Sequence, residues 1–285
     1  MPTRNYLFYA LTNSVCSQCL VKVEAKIIFQ DGCVYLVKHC RTHGREEVLI
    51  ADDIEYYKQS LEFNKPGDMP LKFNTPIKYG CPYDCGLCPD HEQHSCLTLI
   101  EVTDRCNLSC PICYADSGAE EVSAISHQPR RHRSLAEIER MIDAVVANEG
   151  EPQVVQLSGG EPTLHPEFFQ IMDIAKSKPI QHLMINTNGV RIAKEKSFCD
   201  RLSQYMPGIE VYLQFDSFEA EALRELRGAD LRIIREQAIA NLNEHNISTT
   251  LVVTLKKGLN DHEIGKIIEY ALQQRCVRGV TFQPI

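Results

Sequence analysis

Cysteine is the residue that most constrains this chain. Thirteen cysteines occur in 285 residues, and eleven of them lie before residue 114. An odd number of cysteines, with no basic and then apolar signal segment at the N-terminus, argues against a disulfide-stabilised secreted domain. Clustered cysteines in a reducing compartment are typical of metal sites. We therefore expect a cytoplasmic protein whose first part binds metals.

Composition narrows the classes of function. The formal net charge is −8, from 30 Lys and Arg against 38 Asp and Glu. Sequence-independent binding of nucleic acid needs basic surface, so we expect no nucleic-acid partner. No apolar run approaches the ~20 residues of a membrane-spanning helix, so we also expect no transmembrane segment.

The chain divides into three predicted segments. Residues 1–75 hold two strand-like runs joined by Asp31–Gly32, which predicts a small zinc-ribbon or rubredoxin-like domain. Residues 76–96 form a cysteine-rich bridge. In residues 97–285, six apolar runs alternate with helical patterns, which predicts parallel strands in an α/β fold. This pattern fits both a doubly wound sheet and a partial barrel. Because no helix follows to cover the sixth strand, we expect the C-terminal part of a longer protein to be missing.

The first cysteine group is a candidate metal site in residues 1–75. Cys16, Cys19 and Cys40 are three predicted ligands, and either His43 or Cys33 is the fourth. Three thiolates with an imidazole suit zinc, whereas rubredoxin-like mononuclear iron prefers four thiolates. Both metals remain open for this site.

The second group lies in the bridge and just after it. Cys81, Cys85 and Cys88 have CxxxCxxC spacing, and Cys96 supplies a fourth thiolate. Four thiolates close an auxiliary [4Fe–4S] site, which serves electron transfer or structure rather than catalysis. The alternative is a structural zinc on the same four residues.

The third group lies where an active site is expected. Cys106, Cys110 and Cys113 repeat the spacing just after the first strand of the α/β segment. Three thiolates hold an iron–sulfur cubane and leave one iron open for a substrate or cosubstrate. Loops at the carboxyl ends of parallel strands carry the active sites of α/β folds. We interpret the basic run at residues 130–133, further along this loop, as a solvated segment.

A second motif narrows the chemistry of this third group. About 45 residues after Cys113 the chain reads Ser158-Gly159-Gly160-Glu161. Together the two motifs resemble the radical S-adenosylmethionine superfamily over roughly residues 97–285. The resemblance implies a (β/α)6 partial TIM-like barrel, a catalytic [4Fe–4S] cluster on the three cysteines, and S-adenosylmethionine at its open iron. It implies an enzyme that cleaves S-adenosylmethionine to a 5′-deoxyadenosyl radical, which abstracts hydrogen from an unactivated carbon. It also implies a low-potential electron donor such as ferredoxin or flavodoxin.

Contacts to the cosubstrate follow from the same resemblance. Gly159 and Gly160 would let the backbone approach the methionine end, and Glu161 would meet its ammonium group. Tyr114, directly after the third cysteine, matches an aromatic position near the adenine. Without the resemblance, the glycines also fit a plain tight turn and Glu161 fits an acidic residue at a helix N-terminus.

Polar residues at the ends of two later strands complete the implied cavity. Asn188 ends the third strand of the α/β segment, whereas Gln214 and Asp216 end the fourth, where the superfamily places a ribose contact. The last two residues are also ordinary loop caps.

A narrower resemblance covers residues 10–285. It is carried by the second cysteine group, by the Glu101–Cys106 stretch and by the N-terminal Cys-x2-Cys and Cys-x2-His-Gly pairs. The subfamily has several extra metal sites and includes tetraether lipid synthases and enzymes that methylate 7,8-dihydro-6-hydroxymethylpterin. Coupling of lipid tails through carbon is our first hypothesis for the substrate reaction, and pterin methylation is the second. The alternative from another class of function is a non-enzymatic protein, either an iron–sulfur electron carrier or a binding protein whose fold is stabilised by metal.

Overall fold

The structure, a computed structural model, describes residues 4–63, 67–91, 93–123 and 127–285. It has two compact units, Met1–His94 and Ser95–Ile285, which we call the N-terminal unit and the C-terminal unit. Cys81, Cys85 and Cys88 therefore belong to the N-terminal unit, and Cys96 belongs to the C-terminal unit.

The N-terminal unit contains a four-stranded antiparallel sheet followed by one helix. Its strands pair in chain order: β1 (Leu7–Val15), β2 (Lys22–Gln30), β3 (Cys33–Cys40) and β4 (Gly44–Ala51), followed by α1 (Ile54–Glu62). The two strand-like runs seen in the sequence lie in β2 and β3. The sequence pattern did not indicate β1 and β4, because these outer strands are largely exposed and lack a clean alternation of apolar and polar residues.

Two turns position the ends of β3. Asp31 and Gly32 both have left-handed φ, of 51° and 79°, which is the two-residue turn that matches the twist of a hairpin. At the other end of β3, the turn into β4 carries His43 beside Cys40. The turn from β3 to β4 therefore places Cys40 and His43 together at one corner of the sheet.

The C-terminal unit contains a six-stranded, fully parallel sheet. Its strands are β5 (Thr98–Thr103), β6 (Val154–Gly159), β7 (His182–Thr187), β8 (Ile209–Gln214), β9 (Thr249–Leu255) and β10 (Val277–Pro284). They lie side by side in chain order, without the reversal that defines a doubly wound sheet. The strand order thus selects the partial barrel from the two folds that fit the sequence.

Helices alternate with these strands and bury their apolar faces on the sheet. They are α2 (Leu135–Glu149), α3 (Phe168–Lys176), α4 (Val190–Lys194), α5 (Lys196–Ser203), α6 (Ala220–Arg227), α7 (Arg232–His245) and α8 (Ile264–Gln273). One continuous core joins the strands with α2, α3, α4, α5, α7 and α8, and Leu157, Ile185 and Leu213 of three adjacent strands are fully buried in it. Each such side chain contributes about 1.5–3 kcal/mol of burial.

The long loop that carries the third cysteine group ends where α2 begins. The Ser134 hydroxyl accepts from the Glu137 N–H at 3.3 Å, and the Glu137 carboxylate accepts from the Ser134 N–H at 2.8 Å. This is the capping box that the sequence pattern of Ser134 and Glu137 predicts. Arg131 binds the same carboxylate at 2.9 and 3.0 Å, which attaches the end of the loop to the helix.

Candidate active site

The third cysteine group lies in the loop between β5 and α2, at the carboxyl edge of the parallel sheet. Cys106, Cys110 and Cys113 are each partly buried and line one pocket. Burial raises the pKa of the Cys106 thiol to about 12 and also raises that of Cys110. Both thiols are therefore protonated at neutral pH when no metal is bound, and metal binding must displace their protons.

The Gly159–Gly160 turn lies against the backbone that leads to Cys106. Gly160 N–H donates to the Thr103 carbonyl at 2.7 Å, and Glu161 N–H donates to the Arg105 carbonyl at 2.9 Å. A Cβ on Gly159 would collide with the first of these carbonyls, and one on Gly160 with the second. Gly159 also has a left-handed φ of 113°. Both glycines line the pocket, so the turn sets the distance between β6 and the cysteine loop.

Glu161 lies directly behind the Gly159–Gly160 turn. Its side chain is buried, with 1% exposure, and it does not line the pocket. One carboxylate oxygen accepts from the Thr163 N–H and hydroxyl and from the Thr187 hydroxyl, and the other accepts from the Asn188 N–H at 2.7 Å. Burial raises the pKa of Glu161. The carboxylate thus joins the ends of β6 and β7.

Asn188 lies between that carboxylate and the cysteines. Its side-chain amide donates to the Asn107 side-chain oxygen at 2.6 Å and lies 3.8 Å from the Cys106 sulfur. The residue lines the pocket. The end of β7 therefore supports the first cysteine through Asn188.

Gln214 and Asp216 lie in different environments, since only Gln214 lines the pocket. Gln214 lines the pocket, and its side chain bonds Asn186 and Arg227. Asp216 has no exposed surface, and its carboxylate pairs with Arg227 at 2.6 Å and with Arg235 at 3.7 Å. Asp216 is therefore placed behind the pocket wall, as an ion-pair partner rather than a residue in reach of a ribose.

Arg227 is a pocket residue that the sequence did not single out. It ends α6 and lines the pocket with the three cysteines. Its guanidinium interaction opposes the burial that raises the pKa of Cys110. No local pattern marks it, since Arg224 one turn earlier has the same spacing from apolar neighbours yet is 62% exposed.

Tyr114 and the basic run complete the loop. Tyr114 lines the pocket, but 77% of its surface is exposed. Arg130 is buried, with 6% exposure, and donates to the backbone carbonyls of Asp104 and Asp116. The interpretation of residues 130–133 as solvated is therefore wrong for Arg130, because the cysteine loop folds around its guanidinium.

The N-terminal unit contains a compact group of ligand atoms. The sulfurs of Cys16, Cys19 and Cys40 and a ring nitrogen of His43 all lie within 4.8 Å of one another. Backbone N–H groups lower the pKa values of Cys16 and Cys40, which favours their thiolates. Cys33 faces elsewhere, with its sulfur 3.9 Å from the Asp52 carbonyl. The structure thus brings His43, not Cys33, to the three cysteines, and this donor set is typical of zinc.

The second cysteine group is arranged more loosely. Cys81 and Cys85 are exposed, whereas Cys88 is 4% exposed. Asp84 organises the loop, because one carboxylate oxygen accepts from the backbone N–H groups of three successive residues, 78–80. These bonds hold the pKa of Asp84 below its usual range. Within the residues that the structure describes, the three sulfurs are not drawn together like the group at Cys16.

Comparison with known proteins matches both units. Residues 100–271 match the Radical SAM superfamily, and residues 8–52 match the HMPTM N-terminal zinc ribbon domain. The 7,8-dihydro-6-hydroxymethylpterin dimethyltransferase of Methanocaldococcus jannaschii is 35% identical over 96% of this chain and 53% of its own length. The GTP 3′,8-cyclase of Syntrophomonas wolfei is 28% identical over 68% of this chain and 57% of its own length. This chain spans about half the length of these curated relatives.

Solved structures share the fold at low identity. Streptococcus suis SuiB bound to S-adenosylmethionine has a TM-score of 0.53 and 16% identity, over 90% of this chain and 62% of that one. The enzyme anSMEcpe with bound AdoMet has a TM-score of 0.51 and 19% identity, over 66% of this chain and 50% of that one. Among the described residues, no helix combines the length and apolar character needed to cross a bilayer.

The family match covers more than half of the chain, the sheet has the matching α/β architecture, and the named relatives are enzymes. The fold class and the resemblance inferred from the cysteine and glycine motifs are thereby confirmed, and the chain belongs to the radical S-adenosylmethionine superfamily of enzymes.

Proposed function

We propose that the C-terminal unit cleaves S-adenosylmethionine at a [4Fe–4S] cluster held by Cys106, Cys110 and Cys113. The observation that supports this most is the pocket at the carboxyl edge of the sheet, which these cysteines line together with the Gly159–Gly160 turn. When bound, the cluster supplies one electron that breaks a carbon–sulfur bond of S-adenosylmethionine and yields a radical able to take hydrogen from carbon. The electron would come from a low-potential carrier such as ferredoxin or flavodoxin.

The residues present fit these groups. The pocket presents three thiols and no fourth cysteine, as a four-iron cluster with one open iron requires. The three sulfurs do not form a compact single-ion site within the described residues, and each ligand of a cubane binds a different iron. At Gly159 and Gly160, a side chain would occupy the narrow approach between the turn and the cysteine loop.

The other pocket residues hold this arrangement in place. Asn188 orients the backbone beside Cys106 through its bond to Asn107. Gln214 accepts from Arg227 at 2.8 Å and donates to Asn186 at 3.1 Å, so its amide is fixed from both sides. A fixed polar group of this kind orients a bound molecule without first having to reorganise.

For the substrate we propose a small pterin-class molecule that becomes methylated. Support comes from the relative named 7,8-dihydro-6-hydroxymethylpterin dimethyltransferase, which aligns with 96% of this chain, and from the zinc ribbon match at residues 8–52. Lipid-tail coupling, our first hypothesis from the sequence, receives no such support, because none of the relatives reported above is named for a lipid substrate.

We also propose roles for the other cysteine groups. Zinc would bind Cys16, Cys19, Cys40 and His43 and stabilise the fold of the N-terminal unit. An auxiliary [4Fe–4S] cluster on Cys81, Cys85, Cys88 and Cys96 stays a prediction from their spacing.

The test of the proposed cleavage is anaerobic. The protein is loaded with iron and sulfide, reduced with dithionite and given S-adenosylmethionine, and 5′-deoxyadenosine is measured. We expect product from the wild type and from Cys33→Ala, a cysteine that the structure places away from the first group, and none from Cys110→Ala. Cleavage retained in Cys110→Ala would contradict the cluster assignment, and failure in all proteins despite full iron would contradict the proposed activity.

The substrate is tested separately. S-adenosylmethionine with a deuterated methyl group is supplied together with 7,8-dihydro-6-hydroxymethylpterin, and the masses of the products are measured by mass spectrometry. Because the S-adenosylmethionine that is cleaved keeps its methyl group in methionine, a second molecule must give up its methyl group and leave as S-adenosylhomocysteine. We therefore expect a deuterated methyl group on the pterin. Formation of 5′-deoxyadenosine with an unchanged pterin would contradict the substrate while leaving the cleavage reaction intact.

A further inference from the structure

One charged group in the pocket has a fixed position that the proposed reaction does not by itself explain. The Arg227 guanidinium donates to both oxygens of Asp216, at 2.8 and 2.6 Å, and also to Gln214 and to the Thr254 hydroxyl. Its side chain is 12% exposed, and that of Asp216 is completely buried. A bidentate pair of this kind fixes both the position and the plane of the guanidinium.

Asp216 is itself held rigidly. It has a left-handed φ of 69°, which is uncommon for a residue with a side chain. Thr254 N–H donates to its carboxylate at 3.1 Å, and the Asn260 side chain donates to its backbone carbonyl at 3.0 Å. The ends of β8 and β9 therefore determine where Arg227 lies.

The same helix end contacts the cysteine loop. A Cβ added to Gly228, the residue after Arg227, would lie 3.2 Å from the Ser109 carbonyl and 3.9 Å from Pro111. These two residues flank Cys110. Arg227 and Cys110 line one pocket, and the positive charge of the guanidinium opposes the burial that raises the pKa of the Cys110 thiol.

Two arginines share the Asp216 carboxylate. Asp216 carries one negative charge, whereas Arg227 and Arg235 each carry a positive one within 4 Å of it. Arg235 is 2% exposed. Arg227, with its positive charge, is the member of this group that lines the pocket together with Cys110. In a site shielded from water, such a charge acts more strongly than on the surface.

We propose that Arg227 is a positioning residue that acts through the Cys110 thiolate and makes a cluster bound there easier to reduce; this inference rests on the proposed function. Reduction adds one electron and no proton, [4Fe–4S]2+ + e− → [4Fe–4S]+, and the electron comes from the external donor. The reduced form carries one more negative charge, so a fixed cation beside one of its ligands favours that form.

The experiment is a redox titration of the reconstituted full chain without S-adenosylmethionine. Dithionite and mediators set the potential, and the paramagnetic signal of the reduced cluster is measured. The relevant signal is the one that Cys110→Ala loses, which separates it from any auxiliary cluster. At the potential where half of the wild-type cluster is reduced, we expect Arg227→Gln to lower the ratio of reduced to oxidised cluster about tenfold, equivalent to about 59 mV for one electron.

Three further variants make the result specific. Arg227→Lys keeps the charge, so its ratio should stay within about threefold of wild type. Arg224→Gln removes an exposed arginine of the same helix and should change nothing. Gln214→Glu keeps the guanidinium but places a nearly isosteric anion against it, and it should lower the ratio in the same direction as Arg227→Gln.

The possible results of this titration separate failure of this inference from failure of the proposed function. An intact wild-type cluster whose ratio is unaffected by both Arg227→Gln and Gln214→Glu would overturn this inference alone. If Arg227→Gln fails to fold, Gln214→Glu decides by itself. A wild-type chain that forms no reducible cluster dependent on Cys110 would overturn the proposed function and, with it, this inference.

Discussion

Replacing Gly160 by alanine tests one of the two tightest backbone contacts of the active site. The added Cβ would overlap the Arg105 carbonyl oxygen and lie 3.1 Å from the Ser117 Cβ. Because the first of these neighbours is backbone, no side-chain rotation relieves the overlap. The turn after β6 must move away from the loop that leads to Cys106. That movement weakens two main-chain hydrogen bonds, at 2.7 and 2.9 Å.

The expected cost follows from these contacts. Two weakened main-chain bonds cost about 0.5–1.5 kcal/mol each. Inserting one methyl group into a packed position costs about 1–3 kcal/mol. Since the same backbone movement relieves part of the overlap, the two contributions are not additive. We expect Gly160→Ala to lower the free energy of unfolding by about 2–4 kcal/mol.

Chemical denaturation followed by far-ultraviolet circular dichroism measures this change. Gly265→Ala is the matched control, because that glycine is exposed in the first turn of α8 and a Cβ there would have nothing within 4 Å. The same chemical change should raise stability by about 0.5 kcal/mol, since alanine favours helix. We also expect less iron per chain in Gly160→Ala after reconstitution. A Gly160→Ala protein within about 0.5 kcal/mol of wild type, with normal iron, would refute the reasoning.

Three further predictions concern the metal site, a capping carboxylate and a buried cation. His43→Ala should abolish zinc binding measured by elemental analysis, whereas His39→Ala, an exposed neighbour, should retain it. Glu137 has a pKa lowered to about 2 by its arginine and helix-capping partners. Its stabilising effect is therefore fully present above its ordinary pKa of 4.5 and lost as the pH falls through about 2, so the melting temperatures of wild type and Glu137→Gln should converge over that range. Arg130→Gln should cost about 2–4 kcal/mol in chemical denaturation, because a buried guanidinium binds two loop carbonyls; a surface-like change under 0.5 kcal/mol would contradict this.

Periodicity and strand-end position were sufficient to predict much of the C-terminal unit. The apolar runs mark all six strands, because the strands of a parallel sheet covered by helices are rich in hydrophobic residues. The order of the strands could not be read from the runs, since both candidate folds produce the same alternation. In the N-terminal unit the outer strands β1 and β4 were missed, as edge strands carry little burial signal.

The direction of charged side chains was not predictable in the same way. Arg224 and Arg227 lie one turn apart on α6, yet the first is largely exposed and the second lines the pocket. The difference between them is the partner Asp216, which lies just after β8 and eleven residues before Arg227. Such a pairing depends on how β8 and α6 meet in space, and no spacing within the helix records it.

Glu161, Asp216 and Arg130 show what this means for the site. Arg130 was expected to be solvated, and Glu161 and Asp216 were expected to lie near the cosubstrate. In the structure all three are buried, and each has polar atoms bonded to neighbouring segments at the carboxyl edge of the sheet. The side chains left to line the pocket are mostly uncharged, with Arg227 as the buried cation among them. Because the loops that carry the cysteines are held by buried charges, substitution of those charges should loosen the cluster ligands before it alters the chemistry. In such variants we therefore expect less iron per chain but nearly unchanged turnover per bound cluster. Loss of a side chain that contacts the bound cosubstrate would have the opposite result, with normal iron and lower turnover.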